Sequence, residues 1–415
     1  MSEKCYLGEI AKSQTGPFGS QLHEEDYVSE GTPIVTVEHL GELGFTTQNL
    51  PFVSDEDVAR LNKYTLKEGD IVFSRVGAID RNTYVTKNEN GWMFSGRCIR
   101  VRCDKSKVNP LYLSYYFRMD SFKRMMLNVS VGATMPSLNT DIMDTLPLEL
   151  AERSEQDRIA KCLNNIDEKI RNNNHINSDL ESMAKLLYDY WFVQFDFPDE
   201  NGRPYKSSGG KMVWNKELKR EIPEGWEVGS LYDIAEFING LACQKYRPLD
   251  GTHRLPVIKI GEMHNGFGTD VEWARDDVSD KHIIHDGDIL FSWSASLEVM
   301  LWNKGTGVLN QHIFKVIPKT NKYYVLQQLS SYIGVFVRMA EARKTTMGHI
   351  TTDHLNQSRI VIPPKRVVDM YGKSVDALYS KSLSCSSENQ QLSSLRDFLL
   401  PMLMNGQVKV GKAGV

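Results

Sequence analysis

The chain has 415 residues, 41% of them hydrophobic and 25% charged, with a net charge of −4. That is too long for one ordinary core, so two domains are expected, and the composition is that of a soluble globular protein. A near-neutral balance, with a pI of about 6.2, excludes a surface that is basic throughout but leaves room for local basic loops.

From the N-terminus, Met1–Lys12 carries no apolar signal core, and no apolar run reaches the roughly 18 residues of a membrane span; a cytoplasmic location is expected. A first β-rich domain is expected over 1–150, with short strands at Ile34–Val37, Ile71–Ser74 and Cys98–Arg102 separated by Gly and Asn turns. An amphipathic helix near Leu111–Leu127 closes it. A long helix follows over 151–195, opened by Ser154 with Asp157 three residues on as a cap. Its seam residues Ile159, Leu163, Ile166 and Ile170 have coiled-coil spacing, and after Asn172-Asn173-Asn174 the seam is expected to resume at Ile176, Leu180, Met183 and Leu187.

Residues 196–229, with Pro198, Gly202, Pro204, Gly209-Gly210, Pro223 and Gly225, read as a linker too polar and breaker-rich to be core. A second β-rich domain is expected over 230–364, with strands at Val257–Ile260 and Ile289–Ser292 and a helix at Tyr324–Ala340. A second long helix spans 365–404, its seam formed by Val368, Tyr371, Val375, Leu378, Leu392, Leu395 and Leu399, with Pro401 as its stop and 405–415 as a tail. Both long helices are apolar at their ends and polar in the middle, a pattern suited to antiparallel pairing. Gly266-Phe267-Gly268 and Gly305-Thr306-Gly307 read as hairpin turns. The six cysteines form no Cys-x-x-Cys pair and are expected as reduced thiols.

The two halves repeat each other. Gly69-Asp70-Ile71-Val72-Phe73-Ser74 returns as Gly287-Asp288-Ile289-Leu290-Phe291-Ser292, and Pro33–Val37 as Pro256–Ile260. Cys98–Val101 returns as Ile313–Val316, and Ala133–Met135 as Thr345–Met347. Four matches in one order make the chain two copies of one unit.

The duplicated Gly-Asp-Ile-x-Phe-Ser motif resembles the DNA-specificity domain of Type I restriction-modification systems. So do Glu155–Ala160, Leu180–Ala184, Trp191–Phe195, the run Ser207–Gly210 to Ile222–Trp226, and the tail Leu399–Gly406. The resemblance spans essentially the whole chain, although the second helix opens with Pro363-Pro364 where the first has Glu155-Gln156. It implies an α+β fold: two β-rich target-recognition domains in a pseudo-twofold arrangement, separated by two long antiparallel coiled-coil-like helices. It implies that each domain reads one half of a bipartite, asymmetric site on double-stranded DNA. The helices, paired through Ile159, Leu163, Ile166, Ile170, Leu180, Leu187, Val375, Leu378, Leu392 and Leu399, would space the readers and dock two methyltransferase subunits, with restriction (motor-nuclease) subunits added for cleavage. S-adenosylmethionine, ATP and magnesium would belong to those partners, and no cofactor or metal to this chain. A helix over 154–192, roughly 58 Å at about 1.5 Å per residue, suits two readers about one DNA turn apart.

Base reading needs donors and acceptors on exposed loops. The candidates are Gln14, Thr15, Phe18, Ser20, Arg75, Arg81, Asn82, Lys123, Arg124 and Thr134 in the first half. In the second they are Asn239, Gln244, Lys245, Arg247, Ser294, Arg343, Lys344, Thr345, Thr346 and His349. Trp293, which takes the place of Arg75, is expected in the core. Catalysis is not expected. Pro198-Asp199 with Glu217-Leu218-Lys219 fits a nuclease pattern but falls in the breaker-rich segment, the His282/His285 and His349/His354 pairs lack a third ligand, and no phosphate-binding loop is present. The competing expectation is a scaffold of two β domains that binds protein or glycan.

Overall fold

The computed structural model describes residues 3–19, 21–130, 136–249, 251–268, 270–294, 297–342 and 352–411. They form two compact units, Met1–Arg171 with Gln391–Val415, and Asn172–Gln390. The division runs through both long helices, so each unit takes part of each helix.

In the first unit a four-stranded antiparallel sheet runs Ala11–Thr15, Cys98–Cys103, Asp70–Ser74, Asn82–Tyr84. Alternation along a strand sends Ile71, Phe73, Ile99 and Val101 into one core and Val72 and Cys98 into another. Both faces are covered, which is why Asp70–Ser74 reads as an unbroken buried run. Phe73 meets Phe117 edge-on at 4.9 Å between ring centres; such pairs contribute about 0.5–1.5 kcal/mol beyond area burial. A smaller sheet orders Phe52–Val53, Thr32–Val35 and Met93–Phe94, with Ile34 beside Met93 in parallel. The single helix expected over Leu111–Leu127 is two, Pro110–Tyr116 and Asp120–Val129, because Met119 turns extended between them. Leu400, Leu403 and Met404, from the end of the second long helix, complete the core around Leu7, Ile159 and Leu163.

The second unit repeats the order: Ala235–Asn239, Ile313–Pro318, Ile289–Ser292, Glu298–Leu301. Val257 pairs with Val308 in parallel, as Ile34 does with Met93. The helix Lys322–Ala342 covers the sheet, placing Phe336 against Phe291 at 5.9 Å. The duplicated motif is structural in both copies. Asp70 accepts from the Lys67 backbone N–H at 2.7 Å and Asp288 from that of His285 at 2.9 Å, each closing a turn whose glycine has a φ near +90°. Each aspartate then pairs across the sheet, Asp70 with Arg102 at 2.6 Å and Asp288 with Lys315 at 2.9 Å. The terminal serines hydrogen-bond the carbonyl two residues on, Ser74 to Val76 and Ser292 to Ser294.

The first long helix, Arg153–Tyr188, ends in a π turn at Asp189–Val193. It begins one residue before the expected cap Ser154, with the Glu152 carbonyl accepting its first N–H groups. Ile159, Leu163, Ile166 and Ile170 are buried as expected. Beyond them the seam does not restart at Ile176. The stripe continues without a break through Asn173, Asn177, Leu180 and Ala184 to Tyr188, leaving Ile176 and Met183 exposed and Leu187 half-buried. Polar residues fill the stripe because they find partners there. Within the second unit, Asn173 donates to Glu388 at 2.8 Å and Asn389 at 2.9 Å, and Asn177 to Ser386 at 3.1 Å. The numbers fall on one helix as they rise on the other, so the pairing is antiparallel in this unit.

On the second long helix, Lys365–Met404, Val375 is buried while Leu378, Leu392 and Leu399 are half-buried. Leu395 is exposed and its neighbour Arg396 is buried instead. Pro401 does not stop the helix, which runs one further residue triplet to Met404; the Pro401 carbonyl still accepts from Asn405 at 3.0 Å.

The segment read as a linker is folded. Phe197, Ile222 and Trp226 are buried in the largest core of the second unit, and Met212–Asn215 pairs with Arg220–Pro223 as a hairpin. Aromatic burial outweighs the breakers: Phe197 stacks on Tyr205 at 4.7 Å, and the Asp196 carboxylate holds Ser207. The expected glycine hairpins are absent as such. Gly266 ends the helix Ile260–Asn265, and Gly305 joins strands of two different sheets.

Candidate nucleic-acid interface

In each unit the loop after the first sheet strand packs against the loop that enters its neighbouring strand. Gly16 donates to the Cys98 carbonyl at 3.1 Å, and Gly240 to that of Ile313 at 3.0 Å. A Cβ at Gly16 would fall inside the van der Waals radius of the Ser95 carbonyl oxygen, and one at Gly240 inside that of Asn310. Only glycine lets the backbones approach so closely. A third loop joins them by the same bond in both units: Arg75 N–H donates to the Arg97 carbonyl at 2.8 Å, and Trp293 N–H to that of His312 at 3.3 Å.

In the first unit these loops border a cleft of 810 Å³ lined by Phe18, Glu38, Asn49, Arg81 and Arg97, among others. Phe18 is half-exposed at its rim. Arg81 and Arg97 are exposed, and neither side chain has a partner among the described residues. Arg75, by contrast, turns back into the protein, donating to the carbonyls of Leu138 at 3.3 Å and Gly96 at 3.2 Å with its guanidinium 5.5 Å from the Phe18 ring centre. It braces the cleft. A recess of 360 Å³ beside it brings Arg81, Arg118 and Lys123 together with Glu42 and Asp80. Arg124 is exposed on the same helix as Lys123.

Three further candidates lie within sheet strands. Asn82 is buried in its strand and accepts from Ser114 at 3.4 Å, because the pleat turns it inward. Gln14 is held by the buried Arg100, which also donates to the carbonyls of Lys63 and Thr65. Burial, with Arg102 nearby, pulls the Arg100 guanidinium down to about 10, against the pull of Asp70. Thr15 ends the same strand, paired with Ile99.

In the second unit Asn239, Gln244, Lys245 and Arg247 are exposed, the last three on the turn Cys243–Tyr246 and its exit. Asn239 accepts from the Trp293 indole at 3.2 Å. Trp293 is half-buried, packed on Phe314 and His312, and so lies at the edge of the core. Ser294 is buried with its carbonyl bound by Ser292. Ser20, Thr134, Arg343, Lys344, Thr345, Thr346 and His349 lie outside the described residues, as do the repeated Ala133–Met135 and Thr345–Met347.

Sequence reading passed over Arg97, Glu38, Gln311 and His312. The signal for Arg97 and His312 was in the repeat, since each stands immediately before the matched strands Cys98–Val101 and Ile313–Val316. The acids of the nuclease-like pattern are otherwise engaged. Asp199 receives the Arg203 guanidinium at 3.1 Å, and Glu217 lies 3.5 Å from Arg359. Among the described residues no group of three His, Cys, Asp or Glu could hold a metal ion, and no helix is long and apolar enough to cross a membrane.

Two α+β units of one topology, each with a polar cleft or loop cluster at the same sheet end, define a duplicated recognition protein. Residues 2–182 and 223–373 match the family model of the Type I restriction modification DNA specificity domain. The chain belongs to this family and is a specificity subunit, the DNA-recognition component of such a system. It is 25% identical to the Type I restriction enzyme MjaIX specificity subunit of Methanocaldococcus jannaschii, over 74% of this chain and 71% of that one. It is 23% identical to the Type I restriction enzyme HindI specificity subunit of Haemophilus influenzae, over 85% and 89%. The fold is similar to the crystal structure of the Type I restriction-modification S subunit from M. genitalium, with a TM-score of 0.56, 14% identity, and 97% and 96% of the two chains covered.

Proposed function

We propose that the chain reads a bipartite, asymmetric sequence in double-stranded DNA, one half with each unit, and has no catalytic centre of its own. The observation that carries this reading is the pairing of one backbone with two chemistries. The bond from Arg75 to Arg97 recurs between Trp293 and His312, yet the side chains displayed differ. Readers that share a scaffold and differ in their donors select different bases.

In this reading two methyltransferase subunits bind S-adenosylmethionine and methylate adenine at the site the chain selects. Restriction subunits, with ATP and magnesium, add cleavage, and the assembly works in the cytoplasm. The test is co-expression with a methyltransferase subunit of the same system, followed by genome-wide sequencing of N6-methyladenine. A single split motif that vanishes when this chain is deleted is expected. Methylation unchanged by the deletion overturns the reading and favours a scaffold that binds protein or glycan.

A further inference from the structure

We propose that Arg97 is a specificity-determining residue of the first unit and reads a guanine in the major groove of its half-site. This rests on the DNA-reading function proposed above and assigns one residue and one base within it.

The side chain of Arg97 is exposed and unpartnered among the described residues, while the backbone that carries it is held on several sides. Its own carbonyl accepts from Arg75 N–H, the Gly96 carbonyl accepts from the Arg75 guanidinium, and Ser95 N–H donates to the Val35 carbonyl at 2.9 Å. A free guanidinium on a fixed base is preorganised, so less freedom is lost when it binds.

The cleft supplies the second observation. Arg97 shares it with Arg81 and with Glu38, which is 71% exposed at its side chain. An arginine fork matches the O6 and N7 acceptors of guanine, and a carboxylate accepts from the N4 amine of cytosine. The cleft therefore presents the groups that both edges of a G·C pair require. A cleft serving only the DNA backbone has no use for an exposed carboxylate, because phosphates repel it.

The third observation comes from the repeat. The second unit carries His312 at the place of Arg97, on the same backbone bond, with Gln311 beside it at 3.4 Å. Phosphates are the same in every half-site, so a phosphate-binding position calls for the same charge in both units. A base-reading position is where the two are expected to differ.

The test uses the full chain assembled with its methyltransferase partner and a duplex library with a randomised region, the enriched sequences being read by sequencing. The wild-type assembly should select a G·C pair at a fixed position in one half-site. Arg97→Ala should lower discrimination at that pair alone, by about ten- to a hundredfold, and leave the other half-site unchanged. Arg97→Gln should move the preference at that position toward adenine, whose N6 and N7 suit an amide. Weakening that is uniform across sequences, with a salt dependence reduced by about one phosphate contact, overturns the assignment, as does unchanged discrimination. A wild-type assembly that selects no sequence overturns the DNA-reading function itself, and the Arg97 assignment with it.

Discussion

Arg396 and Asp167 are ion-paired inside the first unit, Nη1 lying 3.1 Å from Oδ1 with both side chains buried. The other carboxylate oxygen accepts from the Tyr115 hydroxyl at 2.7 Å and from Arg118 at 3.1 Å, and the second Arg396 nitrogen reaches Glu42 at 3.4 Å. Burial opposes the charge on Arg396, but Glu42, Asp167 and Asp397 more than offset it and hold the guanidinium above its ordinary value.

Removing one partner leaves uncompensated charge in the interior. Asp167→Asn or Arg396→Ala should destabilise the first unit by about 3–5 kcal/mol, read as a lower urea midpoint. The double replacement Asp167→Leu with Arg396→Met should recover only part of that loss, because Arg118, buried beside Asp167, is still left without its carboxylate.

Gly16→Ala and Gly240→Ala should each disturb one loop cluster, because the added methyl meets backbone that cannot yield. The expected cost is about 1–3 kcal/mol, with discrimination lost in one half-site only for each variant. Gly261→Ala is the control, as nothing lies within 4 Å of its Cβ position. Selection from a randomised duplex library separates the three.

Asn173→Ala should cost about 1–3 kcal/mol, toward the lower end because Glu388 and Asn389 are only half-buried. Asn173→Leu should recover stability while weakening the preference for a single register. Disulfide trapping between cysteines placed at 177 and 386 should fall in Asn173→Leu, with out-of-register pairs appearing.

His282 gives a pH dependence of known sign. Burial lowers its pKa below the ordinary 6.5, and Lys281 and Lys315 add to this against a hydrogen bond with Ser279. Between the lowered value and 6.5 the unfolded chain binds more protons, so the contribution is present above 6.5 and lost as pH falls through the lowered value. Urea midpoints at pH 7.5 and 5.5 should differ less in His282→Asn than in the wild type.

The sheet strands were readable because the repeat marks the same buried positions twice, as with Phe73 and Phe291. Burial that depends on distant partners was not. Asn173 enters an apolar stripe because Glu388 and Asn389 receive it, and Phe197 and Trp226 enter the core from a stretch dominated by proline and glycine. Nothing local distinguishes Asn173 from the exposed Asn172 and Asn174. At the candidate interface, Arg75 and Arg81 look alike in the sequence. One donates to Leu138 and Gly96 and the other stays free, which the path of loops far apart in the chain decides.

The first unit draws its core from both ends of the described chain, with Leu400, Leu403 and Met404 packed among residues between Leu7 and Leu163. During synthesis all of Asn172–Gln390 emerges before those three side chains exist. The unit translated first is therefore finished last, and its partly open core must stay soluble while the second unit folds. Premature termination shortly after residue 390 should strand a folded second unit beside an incomplete first one, a product open to proteolysis within residues 1–171.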